Sequence, residues 1–152
     1  MPGSQLVWGR THIGQWPMLP GVDMPFRYER DEDQRCITVT VDGTFNVDDV
    51  IEVFARMADE GIWSYGVLYD VRSLTGLPSM FDLRRLAEVA NRPGPFDMRR
   101  GPLAIVVADP ALYGMACVYA ALSLPMGRVE VFRDSEDAEL WLLRKLEPVL
   151  PE

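Results

Sequence analysis

The sequence predicts a single α/β domain over residues 24–152, built on a mixed sheet of about five strands covered by four helices. Two β-rich runs near its start are separated by a short charged turn, which is typical of an antiparallel hairpin. After them, apolar runs of strand length alternate with amphipathic runs of helix length. This is the order expected of parallel strands joined by right-handed helical crossovers. A chain of 152 residues, 48% of them hydrophobic, is long enough for one sizeable core.

Residues 1–23 precede this domain and carry no sustained hydrophobic period. Proline and glycine recur through them, which predicts an irregular N-terminal arm. Trp8 and Trp16 indicate that the arm lies against the domain, because apolar side chains gain free energy by leaving water. The arm also contains the only histidine of the chain, His12.

The hairpin is predicted at Phe26–Val41. Ile37, Val39 and Val41 alternate with polar residues, which gives this strand one buried face. Asn46 then begins a helix whose apolar residues recur at helical spacing. The alternative fold is a doubly wound sheet of the flavodoxin or receiver type. That fold would place a helix between its first two strands, so the hairpin distinguishes the two.

The rest of the chain repeats the alternation of strand and helix. The Leu103–Ala108 run is apolar throughout, as expected of a parallel strand covered on both faces. Asp109 and Pro110 fit the N-cap and first position of a helix, and Ser135 is predicted to cap the last helix. The remaining strands are predicted at Tyr65–Tyr69, Leu103–Ala108 and Val129–Phe132, and the remaining helices at Met80–Asn91, Ala111–Leu124 and Glu136–Leu146.

Charge and composition exclude several classes of partner. The formal net charge is -8, whereas nucleic acids and anionic membrane surfaces favour basic proteins. No apolar run approaches the length of a transmembrane helix, and the N-terminus lacks the pattern of a signal peptide. We therefore expect a cytoplasmic protein. We also expect no cofactor, and we expect Cys36 and Cys117 to be buried free thiols.

Three segments carry a family resemblance. They are Leu68-Tyr69-Asp70 at a strand end, Ala104-Ile105-Val106-Val107 followed by Gly114-Met115, and the closing segment Val131–Leu142. In this order they resemble the STAS domains of bacterial anti-sigma-factor antagonists and sulphate transporters, and above all the small STAS/SEC14-like bacterial proteins. The resemblance covers about Met24–Leu146 and implies a STAS-like fold with a regulatory, protein-binding role. Its SEC14-like side implies instead a small apolar, lipid-like ligand.

The resemblance bears directly on the loop that opens the second helix. In the antagonists the regulatory serine lies in an Asp-Ser-Ser-Gly segment at this point, and the corresponding residues here are Leu77-Pro78-Ser79-Met80-Phe81. An ungapped alignment from Asp70 places Met80 at the phosphorylated position. Ser79 and Asp82 also fit a capping box, so Ser79 is either a helix cap or a phosphoacceptor and partner contact. Asp70, Ser79 and Met80 are therefore the regulatory or partner-binding candidates.

The third predicted helix has no charged residue from Ala111 to Met126. A helix that is apolar on every side must be covered on every side. Three covers remain open, namely the arm, a second copy of the chain, or an apolar ligand whose pocket the helix lines. We predict a homodimer formed through this helix, with four residues as candidates for the association surface: Leu112, Met115, Tyr119 and Leu122.

Three carboxylates are expected near the carboxyl ends of the parallel strands. Asp70, Asp109 and Asp134 could converge there on Mg²⁺, which prefers oxygen ligands. However, Asp109 is predicted to cap a helix and Asp134 lies in the turn before the last helix, so each of them has a local role. We therefore predict no metal site.

The Asn91–Gly101 segment places Arg92, Arg99 and Arg100 around prolines and glycines. It is interpreted as an exposed loop or as an anion-facing patch. The chain contains no G-x-S-x-G elbow, G-x-G-x-x-G fingerprint or P-loop. We therefore predict a non-catalytic regulatory or protein-interaction module. The alternative is a carrier of a small apolar ligand, and an enzyme ranks last.

Overall fold

A sheet of six strands, placed in the order in which they occur along the chain, forms the centre of the protein. The structure is a computed structural model that describes residues 12–14, 26–44, 46–91, 100–123 and 128–146. The strands are β1 (His12–Gly14), β2 (Phe26–Asp31), β3 (Cys36–Thr44), β4 (Gly66–Thr75), β5 (Leu103–Val106) and β6 (Val129–Phe132). The helices are α1 (Val47–Asp59), α2 (Met80–Ala90), α3 (Pro110–Leu122) and α4 (Ser135–Leu146). The pairs β1–β2 and β2–β3 are antiparallel, and β3 to β6 are parallel.

The predicted hairpin is confirmed. β2 pairs with β3 from Phe26 opposite Val41 to Asp31 opposite Cys36. The chain reverses through the four residues between them, where Arg35 adopts a positive φ of 56°. Since β2 is followed by an antiparallel strand and not by a helix, the doubly wound alternative is excluded.

The strand order determines which face each helix covers. From β3 to β6 every parallel strand lies beside the one before it, so the three crossovers step across the sheet in one direction. Right-handed crossovers then place α1, α2 and α3 on the same face, which we call the three-helix face. Its core joins strand and helix residues such as Val39, Tyr69, Ile105, Phe54, Leu86 and Tyr119.

The opposite face is covered by α4, and we call it the α4 face. It is a smaller core in which side chains of β3, β4 and β5 meet the helix. Its buried members are Cys36, Leu68, Ala104, Val106, Ala138 and Leu142.

Each helix begins next to a side chain that accepts a backbone hydrogen bond from its first turn. Asn46, Ser79 and Asp109 do so at α1, α2 and α3, as the sequence predicts. At α4 the acceptor is Asp134, whose Oδ1 lies 3.3 Å from the amide nitrogen of Glu136. Ser135 is already helical, so its predicted role as the cap is wrong by one residue. Each such cap stabilises a helix by about 1 kcal/mol.

The predicted irregular arm contributes one strand to the sheet. His12–Gly14 pairs with Tyr28–Arg30 as β1, which raises the number of strands from the expected five to six. Trp8 and Trp16 lie outside the described residues.

β4 is longer than predicted. β3 runs on to Thr44 and offers hydrogen-bonding partners beyond Asp70, as far as the pairing of Thr44 with Thr75. A register shift between Thr40 and Asp42 interrupts this extension without ending it. Asp70 therefore lies within the strand and not at its end.

Candidate functional site

The loop between β4 and α2 carries the predicted regulatory residues. Ser79 Oγ accepts a hydrogen bond from the Asp82 amide at 3.0 Å, and the Asp82 carboxylate accepts one from the Ser79 amide at 3.3 Å. The predicted capping box is therefore present. Met80, the first residue of α2, is 43% exposed, and Leu77 and Phe81 are 55% and 70% exposed. We call Leu77, Met80 and Phe81 the α2 rim.

The three candidate carboxylates have separate local partners. The Asp70 carboxylate accepts two hydrogen bonds from the Arg72 guanidinium, at 2.9 and 2.7 Å, and this hydrogen bonding raises the pKa of Arg72. Asp109 and Asp134 accept from the first turns of α3 and α4. Within the part of the chain that the structure describes, no three His, Cys, Asp or Glu side chains are grouped so that they could hold a metal ion.

The association surface predicted on α3 requires a correction. Leu112 and Tyr119 are directed into the core and are only 6% and 5% exposed. Met115 and Leu122 are half-buried and pack against the same core. The prediction was wrong because the helix carries no charged side chain that would show which face points outward. Its larger side chains pack on the sheet.

Small residues form the outer surface of α3. Its exposed positions include Ala111, Gly114, Cys117 and Ala121. Cys117 is thus a free, exposed thiol, whereas Cys36 is free and buried, so the prediction of two buried cysteines is wrong for Cys117. None of the helices in the described ranges is long and apolar enough to cross a membrane.

An apolar cavity of about 90 Å³ lies between the sheet and the three helices of the three-helix face. Its exposed wall is apolar throughout. An apolar cavity of roughly 150 Å³ holds one benzene molecule, so this one has room for a chain of a few carbon atoms. Side chains of β3 to β5 and of α1 to α3 line it, among them Val41, Tyr69, Ile105, Phe54, Leu86, Leu112, Ala116 and Tyr119.

One end of this cavity lies beside the α2 rim. Leu74, Pro78 and Leu83 are also among its lining residues. Pro78 sits between Leu77 and the cap Ser79, and Leu83 is one helical turn beyond Met80. The predicted regulatory segment and the cavity therefore belong to one region of the molecule.

A buried arginine lies behind the cavity wall. Arg100 is 8% exposed, and its Cζ lies 4.2 Å from the ring centroid of Phe54 and 4.8 Å from that of Trp63. Such cation–π contacts contribute about 0.5–2 kcal/mol each, whereas removing an ion from water costs several kcal/mol. Neither Nη1 nor Nη2 has a hydrogen-bond partner among the described residues.

The burial of Arg100 departs from the predicted exposed loop. Gly101 lies so close to the backbone of residues 64–65 that a Cβ at this position would overlap their carbonyl oxygens. Only glycine permits this approach, and it holds Arg100 beneath the loop between α1 and β4. The signal in the sequence that could have indicated this burial is Gly101 itself, two residues before the buried strand that begins at Leu103. Arg92 and Arg99 lie outside the described residues.

Further buried polar groups surround this guanidinium. A second cavity of about 10 Å³ is lined by Asn91, Arg100, Tyr119, Ser123 and Arg128, together with Ala90, Gly101 and Val129. The Tyr119 hydroxyl, Ser123 Oγ and Asn91 Oδ1 have no hydrogen-bond partner among the described residues. None of the described residues that line it is acidic. Tyr119 lines both cavities and so lies between the apolar one and the polar one.

Tyr69 adds a further hydroxyl to this region. It is buried, and its hydroxyl also lacks a partner among the described residues. Burial raises the pKa of this hydroxyl well above its usual value, and the charge of Arg100 acts against that rise. The group is therefore protonated at neutral pH and is available as a hydrogen-bond donor.

No protein-family model and no curated protein sequence matches the chain. Among solved structures, the chain is similar to an uncharacterized protein of the DUF3478 family from Shewanella loihica PV-4, which is described as having a SpoIIAA-like fold. The two share 19% identity with a TM-score of 0.53, over 85% of this chain and 99% of that one. At this identity the likeness concerns the fold alone. The resemblance to STAS domains is thus confirmed at the level of the fold, and the chain has a STAS-like, SpoIIAA-like architecture.

Proposed function

We propose that this protein is a non-catalytic binding module that takes a small apolar molecule into the cavity of the three-helix face. The cavity is the observation that carries the proposal, since its exposed wall is apolar and one end lies beside the α2 rim. Burying hydrocarbon there gains roughly 25 cal/mol per Å² of apolar surface. Such binding needs no reactive group.

The unfilled volume itself supports a ligand. Protein interiors are close-packed, and an empty cavity lowers stability by about 24 cal/mol per Å³. This cavity of about 90 Å³ is only partly enclosed, so it carries part of that cost. A ligand that fills the space recovers this contribution and stabilises the folded chain by mass action.

A neutral short-chain probe, 1-hexanol, tests this proposal. We expect it to shift the methyl NMR signals of cavity residues such as Leu86 and Ile105, and to leave Leu142 on the α4 face unchanged. Ala116→Leu fills the cavity and abolishes the shifts. Ala121→Leu makes the same substitution on the exposed surface of α3 and retains them. If 1-hexanol leaves the cavity methyl signals unmoved, the proposal is wrong.

A second candidate function, a regulatory protein-interaction module, is favoured by the α2 rim. Leu77 in the loop and Met80 and Phe81 at the start of α2 are exposed, and neighbouring exposed apolar side chains mark interaction sites. Ser79 lies within this surface at a helix N-terminus, where a phosphate group is electrostatically favoured. In this candidate the α2 rim binds another protein, and the simplest partner is a second copy of this chain, bound through α2 in place of the α3 contact that the sequence predicts.

The oligomeric state of the purified protein tests the homodimer. If the α2 rim forms the contact, size-exclusion chromatography with light scattering shows a dimer, and Phe81→Ser converts it to a monomer. Leu140→Ser is the matched control, because Leu140 is 48% exposed on α4. A wild-type monomer at high concentration contradicts self-association through either α2 or α3.

A further inference from the structure

We propose that the ligand of the apolar cavity is a carboxylate with a short hydrocarbon chain, whose head group is bound by Arg100 beside Tyr119. This inference rests on the proposed function, since it names the chemical class of the ligand of the same cavity. It begins from the buried guanidinium, for which the described part of the chain offers no counter-ion.

The balance of charge around Arg100 calls for an anion. Its Nη1 and Nη2 atoms are buried without a partner among the described residues. The polar cavity beside it has a second arginine, Arg128, in its wall, and none of its described lining residues is acidic. A chain with a net charge of -8 has carboxylates in excess, yet the described residues bring none of them to this site. A ligand that supplies one negative charge would neutralise the buried cation.

The hydrogen-bonding groups suit a carboxylate in particular. A carboxylate accepts hydrogen bonds and donates none, and the planar guanidinium of Arg100 matches its two oxygens. The hydroxyls of Tyr119 and Ser123 lack partners among the described residues and line the same small cavity. These two hydroxyls can donate hydrogen bonds to the lone pairs of the ligand carboxylate that Arg100 leaves unused.

The hydrocarbon chain follows from the way the two cavities adjoin. Tyr119 lines both of them, and Phe54 lines the apolar cavity while its ring stacks on Arg100. The polar cavity, at about 10 Å³, has the volume of one water molecule. A carboxylate exceeds this volume, so the proposal requires the Tyr119 side chain to shift and open the polar cavity toward the apolar one, whose 90 Å³ takes the chain.

The experiment compares hexanoate with 1-hexanol, which differ only in the head group, by calorimetric titration at neutral pH. We expect the wild-type protein to bind hexanoate about tenfold or more tightly than 1-hexanol, because hydrogen bonds to charged groups are the stronger ones. Arg100→Met removes this preference and leaves 1-hexanol binding within about twofold. Arg84→Met, on the exposed side of α2, is the matched control and retains it. The Trp63 indole N–H signal reports occupation of the site, since Arg100 stacks on this ring.

Each outcome separates this inference from the proposed function. If 1-hexanol binds and hexanoate binds no more tightly, the carboxylate is wrong and the apolar ligand stands. If neither binds, both proposals fail. If acetate binds as tightly as hexanoate, the site holds a free anion and the link to the apolar cavity is wrong. Should Arg100→Met fail to fold, Tyr119→Phe decides the matter, because it keeps the ring and is expected to weaken hexanoate alone.

Discussion

The two faces of the sheet differ in how completely their side chains fill the space between strand and helix. On the α4 face, Leu68, Ala104 and Val106 are at most 2% exposed, and no residue of this layer lines either cavity described above. On the three-helix face, Tyr69 and Ile105 from the same two strands line a cavity of about 90 Å³. In the described part of the chain, one sheet thus carries a filled layer and an unfilled one.

Side-chain size explains this difference. α4 approaches β4 so closely that a Cβ on Gly66 would lie 2.7 Å from Cδ1 of Leu146. On the other face, the rings of Phe54, Tyr69 and Tyr119 border the cavity, and rigid aromatic rings cannot collapse into the space between them. The comparison teaches that the α4 face supplies tight packing, whereas the three-helix face keeps space for a ligand.

The largest expected effect is a contrast in reactivity between the buried thiol of the α4 face and the exposed thiol on the outer surface of α3. Burial, reinforced by the charges of Asp31 and Glu139, raises the pKa of Cys36 on the α4 face from 9.0 to about 12. Its thiolate population at pH 8 is then about a thousandfold below that of an ordinary thiol. Ellman's reagent should therefore modify Cys117 rapidly and Cys36 only on unfolding. In the Cys117→Ser variant Cys36 is the only remaining thiol. Rapid labelling of this variant in its native state would contradict tight packing of the α4 face.

The same pKa shift has a consequence for stability at high pH. The folded state holds the Cys36 proton more tightly than the unfolded state, whose thiol ionises near 9.0. The contribution of this group to the free energy of unfolding is therefore complete below pH 9 and declines as the pH rises toward 12. Urea denaturation of wild type and Cys36→Ala across this range should show the steeper decline in the wild-type protein.

Leu142→Ala breaks the filled layer directly. Leu142 is fully buried between α4 and the sheet, and we expect the substitution to lower the free energy of unfolding by about 3–4 kcal/mol. Leu140→Ala on the exposed side of the same helix should change it by less than about 0.5 kcal/mol. Urea denaturation measures both. A loss below about 1 kcal/mol for Leu142→Ala would show that α4 packs loosely.

One substitution made on each face compares the two layers. Ala104→Leu forces three extra carbon atoms into the α4 face, where Ala104 is fully buried, and should lower the free energy of unfolding by about 1–3 kcal/mol. Ala116→Leu puts the same atoms into the cavity and should raise it by about 0.5–1 kcal/mol. Thermal and urea denaturation of both variants measure the difference. Equal losses would contradict the contrast between the faces.

The smallest expected effect is at the α2 rim. Ser79→Ala removes the side-chain acceptor of the Asp82 amide and should lower the free energy of unfolding by about 1 kcal/mol. Ser79→Asp supplies another good cap and should remain within a few tenths of a kcal/mol of wild type. If Ser79→Ala is neutral and Ser79→Asp is destabilising, the cap is not the structural role of this residue.

Local signals made most of the fold predictable from the sequence. The hairpin, the four helices and the caps at Asn46, Ser79 and Asp109 depend on residues that are neighbours in the chain. The extension of β4 past Asp70 was not predictable in this way, because its hydrogen-bonding partners come from β3. Its continuation is a tertiary effect.

The candidate site was less predictable, for two physical reasons. α3 carries no charge, so its sequence does not show that Leu112 and Tyr119 face inward and that Cys117 faces outward. Arg100 follows another arginine in a segment rich in proline and glycine, which predicts exposure. Its burial depends on how closely Gly101 approaches residues 64–65. The residues that line each cavity come from several separate segments of the chain, so no contiguous motif predicts either cavity.

The order of the strands has a consequence for how the chain folds. Every strand after β1 pairs with the strand immediately before it, so each of these strands has a partner that is already synthesised. Folding of this kind relies on contacts that are relatively near in sequence, which favours speed. The exception is α4, which joins residues as far apart as Gly66 and Leu146. Docking of the C-terminal helix is therefore the step that closes the second core, and it can take place only when almost the whole domain has been made.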